Sequence, residues 1–168
     1  CAGAYVMKNP DTHRLDNPAD SLLRSRGREG VTVWDCRKPV IAAVNGPAYG
    51  AGFGMTAASD IIIASTEARF CMPFMRLGII PGAGGGGGGM GPRMALSVGK
   101  SKASELVLMA REFRGEDAYR WGYANTVVPP EQLMDEAMSW AIEITKLAPL
   151  SLVLAKEDLR ESWAHHIN

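Results

Sequence analysis

Between Asn45 and Met55 the chain reads NGPAYGAGFGM, a run of small residues that follows an apolar stretch and leads into a predicted helix. Glycines at 50, 52 and 54 would let backbone N–H groups face a ligand directly, with no side chain in the way. The first turn of a helix carries N–H groups that lack intrahelical partners, together with a partial positive charge. Such a place suits an anion or the oxyanion that develops on a carbonyl. The same glycines would equally allow a helix to pack tightly on a strand, and spacing alone does not choose between the two.

Nucleotide readings of this loop fail. A dinucleotide fingerprint wants an acid about 20 residues further on, at the end of the next strand. Asp60 comes too early, before that strand, and Glu67 follows it with no ribose-binding context. A phosphate loop would read GxxxxGK[ST], but the one GKS, Gly99-Lys100-Ser101, has Met94 where the first glycine belongs. The remaining polar groups are individually weak candidates for acid or base work. Tyr49 sits beside the loop and offers a phenol to a substrate, or packs as a loop tyrosine. Arg76 suits a carboxylate, a phosphate or a surface ion pair. Asp60 is placed to cap backbone, Glu105 to be solvated or paired, and His13, His165 and His166 lie in polar or terminal positions.

The chain has 168 residues, 18 acidic and 18 Lys plus Arg, so it carries no net charge to recruit nucleic acid or an anionic membrane. Its length suits one domain with a real core. Cys1, Cys36 and Cys71 are odd in number and form no CxxC pair, which favours reduced thiols over a disulfide framework. No apolar run reaches the ~18–20 residues of a membrane span, and CAGAYVMKN lacks the marks of a signal peptide. The expectation is a soluble, cytoplasmic domain. Of 19 glycines, 13 lie between Gly46 and Gly91, six of them in the unbroken run Gly84–Gly89. Such a run holds a helix poorly and is read as a flap, an insertion or residues of uncertain identity.

Several elements must position these residues. Val40–Val44 and Ile61–Ser65 read as strands buried on both faces, with a loop and helix over Ala48–Ser59 between them. That order argues for α/β organisation. Ala68–Phe74 reads as a short extended piece broken at Pro73, and Asn125–Val128 as a strand. Helical patterns cover Ser101–Arg111, Gly115–Gly122, Pro130–Leu147 and Pro149–Trp163. The stretch Asn9–Gly30 reads as a polar loop.

The segments CAGA (Cys1–Ala4), KPVIAAVNGPAYGAG (Lys38–Gly52), SDIIIAS (Ser59–Ser65), ARF…PF…LGIIPGAGG (Ala68–Gly85), VGKSKASELVL (Val98–Leu108) and GEDAYRWGYANTVVP (Gly115–Pro129) together resemble the crotonase (enoyl-CoA hydratase/isomerase) superfamily. The resemblance covers nearly all of the chain except Asn9–Gly30. It implies an α/β fold, a spiral of ββα units over 1–128 followed by a C-terminal helical region over 129–168, with an N-terminal part of the fold upstream of Cys1. It also implies an acyl-CoA substrate, no cofactor beyond the coenzyme A of that substrate, no metal, and a homotrimer or dimer of trimers. By motif position the two backbone donors of the family's oxyanion hole fall on Ala4 and Ala51. Gly50, Tyr49, Met55 and Phe74 are then expected to contact substrate, with Met72 and Met75 beside them in an adaptable apolar pocket.

The departures from the family pattern carry equal weight. The hydratase glutamates correspond in position to Gly54 and Phe74, the isomerase acid to Gly82, and the aspartate after AGA to Tyr5. Glycine and phenylalanine cannot transfer protons. The expected reaction is therefore hydratase/isomerase-like with non-standard acid/base groups. The alternatives are thioester hydrolysis, dehalogenation or decarboxylation, or an inactive CoA-binding or assembly subunit.

Overall fold

A computed structural model describes residues 33, 36–78 and 90–167. Among the described residues one winding path threads two three-stranded sheets. The first holds β1 (Ile41–Val44), β3 (Ile61–Ser65) and β6 (Thr126–Val128), all parallel. The second holds β2 (Pro47–Tyr49), β4 (Arg69–Cys71) and β5 (Phe113–Arg114). In it β2 and β4 are parallel and β4 and β5 antiparallel. Each circuit lays one strand in each sheet and then a helix: β1, β2 and α1 (Ala51–Ala58), then β3, β4 and the helices that follow. Those are a 3-10 turn at Pro73–Leu77, α2 (Met90–Val98), α3 (Lys100–Leu108) and, after β5, α4 (Gly115–Arg120). A second 3-10 turn (Pro130–Gln132), α5 (Leu133–Thr145) and α6 (Pro149–Ile167) follow β6.

The β-branched run of β3 separates two apolar clusters by strand alternation. Ile62 and Ala64 face the main core with Val44, Phe53, Phe70, Met94, Phe113 and Tyr123. Ile63 faces the other way, onto Leu133 and Ala137 of α5, with Ile41 and Ala43 beside it. The expectation of two-sided burial holds for β3. In β1 only Val44 is buried, because β1 forms an edge among the described residues and an apolar groove of about 600 Å³ runs between it, α5 and α6. Among the described residues no single helix is long and apolar enough to cross a membrane.

Two elements differ from the sequence reading. Pro47–Tyr49, expected as part of a loop, is a strand, because β4 lies beside it and pairs Tyr49 with Cys71. Met90–Val98 is a helix that the sequence reading did not predict, with Met90 and Met94, one turn apart, both buried. The α4 helix begins where the chain touches β3: a Cβ at Gly115 would collide with the Ser65 carbonyl. The α6 helix is fastened through Lys156, which is 6% exposed and pairs with Asp60 at 2.6 Å while donating to the Lys38 carbonyl at 2.8 Å. The same Asp60 oxygen accepts the Val40 N–H at 2.7 Å, so this carboxylate caps backbone as expected and also holds a lysine from a distant helix.

Candidate active site

The second sheet delivers the chain to the start of α1. Gly50 adopts φ 54°, ψ −113°, outside the range a side chain tolerates easily, and its N–H donates to the Cys71 carbonyl at 3.1 Å. The turn reverses the chain sharply enough for Ala51 to open a helix directly after β2. The first intrahelical bond runs from the Gly54 N–H to the Gly50 carbonyl at 3.0 Å. Ahead of it, the Ala51 N–H makes no hydrogen bond among the described residues. Among the described residues no side chain caps this end, and the first turn contains no acid. A helix N-terminus without a capping carboxylate or hydroxyl keeps its donors and its positive dipole end for something else.

Around this end the expected contact residues take different roles. Tyr49 ends β2, and its phenol donates to the Glu112 carboxylate. Burial, then that hydrogen bond, raises its pKa above the ordinary tyrosine value, so the phenol stays protonated near neutrality. Glu112 escaped the sequence reading. It directly precedes Phe113, which pairs with Phe70, just as Tyr49 pairs with Cys71, and so the register brings the two together. Arg76 makes no ion pair among the described residues; its guanidinium donates to the Ala110 carbonyl at 2.8 Å. The Cys71 thiol donates weakly to the same oxygen at 3.5 Å, and burial pushes its pKa up. Glu105 is paired, as expected, with Lys102 and Arg111.

Met55, 54% exposed, lines a cavity of about 270 Å³ under α1 with Ala42, Val44, Gly52 and Thr56. Tyr49, Gly50 and Phe74 do not line that cavity. Phe74 sits in the Pro73–Leu77 turn, partly buried against the main core. Met72 belongs to the core itself; the expectation that it lines an acyl pocket is corrected, since the inward face of the chain after β4 draws it into the aromatic cluster. Gly54 is buried inside α1. Ala4, Tyr5, His13, Gly82 and the Gly84–Gly89 run lie outside the described residues. Among the described residues no group of three His, Cys, Asp or Glu is arranged to hold a metal ion.

A twin-sheet spiral that presents a bare helix N-terminus beside a glycine turn defines a class of α/β protein, and comparison with known proteins identifies it. The family model described as enoyl-CoA hydratase/isomerase matches residues 13–166, and the chain belongs to this family, the crotonases. Carnitinyl-CoA dehydratase of Proteus mirabilis is 39% identical over 142 residues, covering 84% of this chain and 52% of that protein. Mevalonyl-coenzyme A hydratase of Beauveria bassiana is 38% identical over 128 residues, covering 76% of this chain and 44% of that protein. The crystal structure of an enoyl-CoA hydratase/isomerase from Cupriavidus metallidurans CH34 superposes with a TM-score of 0.77 at 32% identity. That superposition covers 91% of this chain and 57% of the crystallised one. The chain thus spans about half the length of the relatives it matches.

Proposed function

We propose that this chain forms the oxyanion-holding half of an acyl-CoA thioester-processing enzyme. In this reading the thioester carbonyl lies at the N-terminus of α1, where the Ala51 N–H and, from the opening CAGA segment, the Ala4 N–H donate to its oxygen. The single observation that carries the reading is the uncapped first turn after Gly50. A donor aimed at developing enolate charge stabilises the transition state more than the ground state. Because both donors are peptide groups, alanine serves as well as glycine at position 51. Tyr49, Gly50, Met55 and Phe74 border the acyl group in this reading, and no metal or separate cofactor takes part.

Relatives named for dehydrating carnitinyl-CoA and hydrating mevalonyl-CoA favour hydration chemistry, or its reverse, over hydrolysis, dehalogenation or decarboxylation. Gly54 and Phe74 bring no titratable group, so the proton must move through other residues or water. The same two residues favour one rival reading, a CoA-binding or assembly subunit without turnover. A homotrimer or dimer of trimers in the cytoplasm completes the proposal.

Ala51→Pro tests it. Proline is well tolerated at the first helical position, so the variant folds while losing the donor. Assayed on a panel of acyl-CoA thioesters, it should lose about 100–1000-fold in turnover. Unchanged kinetics in the folded variant would reject the oxyanion assignment. CoA-ester binding without turnover in the parent protein would support the rival.

A further inference from the structure

The α1 helix is built almost wholly of small residues, AGFGMTAA, so few side chains can fix its height above the sheets. Phe53, two residues after Ala51, is fully buried, while the other large residue, Met55, is 54% exposed. The Phe53 ring stacks on Tyr123 with centroids 5.3 Å apart and planes only 5° from parallel. The Tyr123 hydroxyl lies 2.7 Å from the Thr56 Oγ1, in a buried contact. Thr56 donates its single hydroxyl proton to the Phe53 carbonyl at 2.8 Å, which leaves the phenol as donor to Thr56.

Tyr123 is itself fixed. Its N–H donates to the Ala118 carbonyl at 2.8 Å. Two residues on, Asn125 is locked to β3 twice: its N–H donates to the Ile62 carbonyl and its Oδ1 accepts the Ile62 N–H, both at 2.8 Å. A chain of contacts therefore runs from β3 through Asn125 and Tyr123 to Thr56 and the first turn of α1.

We propose that Tyr123 is a positioning residue for the oxyanion site: through Thr56 and Phe53 it sets where the Ala51 N–H points. This rests on the thioester reading above and adds a residue 72 positions away from Ala51 that never touches substrate. A hydrogen bond to a buried hydroxyl fixes a distance and a direction, whereas ring stacking alone allows sliding in the plane of the rings. Small displacements matter here, since a misplacement of about 1 Å costs on the order of 100-fold in rate.

The test is spectroscopic. A conjugated 2,4-dienoyl-CoA thioester absorbs further to the red when its carbonyl is polarised, whether or not it turns over. Bound to the parent protein it should show that red shift. Tyr123→Phe keeps the stacked ring and removes the hydroxyl; it should bind the probe with unchanged affinity but with a smaller shift, and lose about 10-fold in kcat at constant KM. Thr56→Val should behave alike, and Thr56→Ser, which restores the hydroxyl, should recover the parent shift. A full red shift in folded Tyr123→Phe or Thr56→Val overturns the positioning role while leaving the thioester reading intact. Binding with no shift in the parent protein overturns that reading, and this proposal with it. Should Tyr123→Phe fail to fold, the Thr56→Val and Thr56→Ser pair decides the matter by itself.

Discussion

Burial holds the Tyr123 phenol above the ordinary tyrosine value of 10.0. The sign of the consequence follows from proton counting. Above about pH 10 the unfolded chain releases the tyrosine proton and the folded protein keeps it, so stability falls with rising pH. The contribution is complete below pH 10 and disappears as pH climbs through the raised folded value. Urea titrations between pH 9 and 11.5 should show the parent protein losing stability more steeply than Tyr123→Phe, by about 1.4 kcal/mol per pH unit above 10. Equal slopes would mean that water reaches this hydroxyl. Tyr49 differs: its carboxylate partner, Glu112, is exposed.

At the scale of elements, α6 depends on one contact of unusual kind. Its exposed leucines, Leu150, Leu154 and Leu159, add little docking energy. Lys156 is buried and ion-paired with Asp60, and a buried charge left without its partner costs about 3–5 kcal/mol. Asp60 retains the Val40 N–H and is 21% exposed, which puts Lys156→Met near the lower end, at about 3 kcal/mol by urea denaturation. The double variant Asp60→Asn with Lys156→Met should be less destabilised than the sum of the singles. A single-variant loss under about 0.5 kcal/mol, the range of ordinary surface changes, would show the pair to be incidental.

At the scale of the molecule, four aromatic rings tie the second sheet to α1 and to the turn that precedes β6. Phe70 on β4 stacks on Phe113 of β5 at 5.2 Å and meets Tyr123 edge-on at 5.3 Å, while Phe53 of α1 stacks on the same Tyr123. Phe70 also shares one buried core with Val44, Ile62 and Ala64 of the first sheet and Phe53 of α1, so its truncation loosens that common core. Phe70→Ala should cost about 3–5 kcal/mol. Far-UV circular dichroism and tryptophan fluorescence should still report one coincident urea transition, because the cluster is shared. Two separated transitions would mean that the sheets fold independently.

Local chemistry made much of this legible without coordinates. The Ile61–Ser65 run could only be a strand with two buried faces, glycine at 50 met a backbone conformation other residues resist, and Leu133, Ala137 and Trp140 fell at helical spacing. Several motifs in one order carried the family. Other features had no local signature. Helix α2 hid because the glycine run ahead of it and Gly91-Pro92 within its first turn mask its periodicity, and β2 because three residues show no alternation until a neighbour pairs with them. Tyr49 with Glu112, Thr56 with Tyr123 and Asp60 with Lys156 join residues 63, 67 and 96 positions apart. Propensity and capping act within a few residues and are written in the chain. Partners across such spans are chosen by strand register and helix docking, which exist only once the whole molecule has closed on its core.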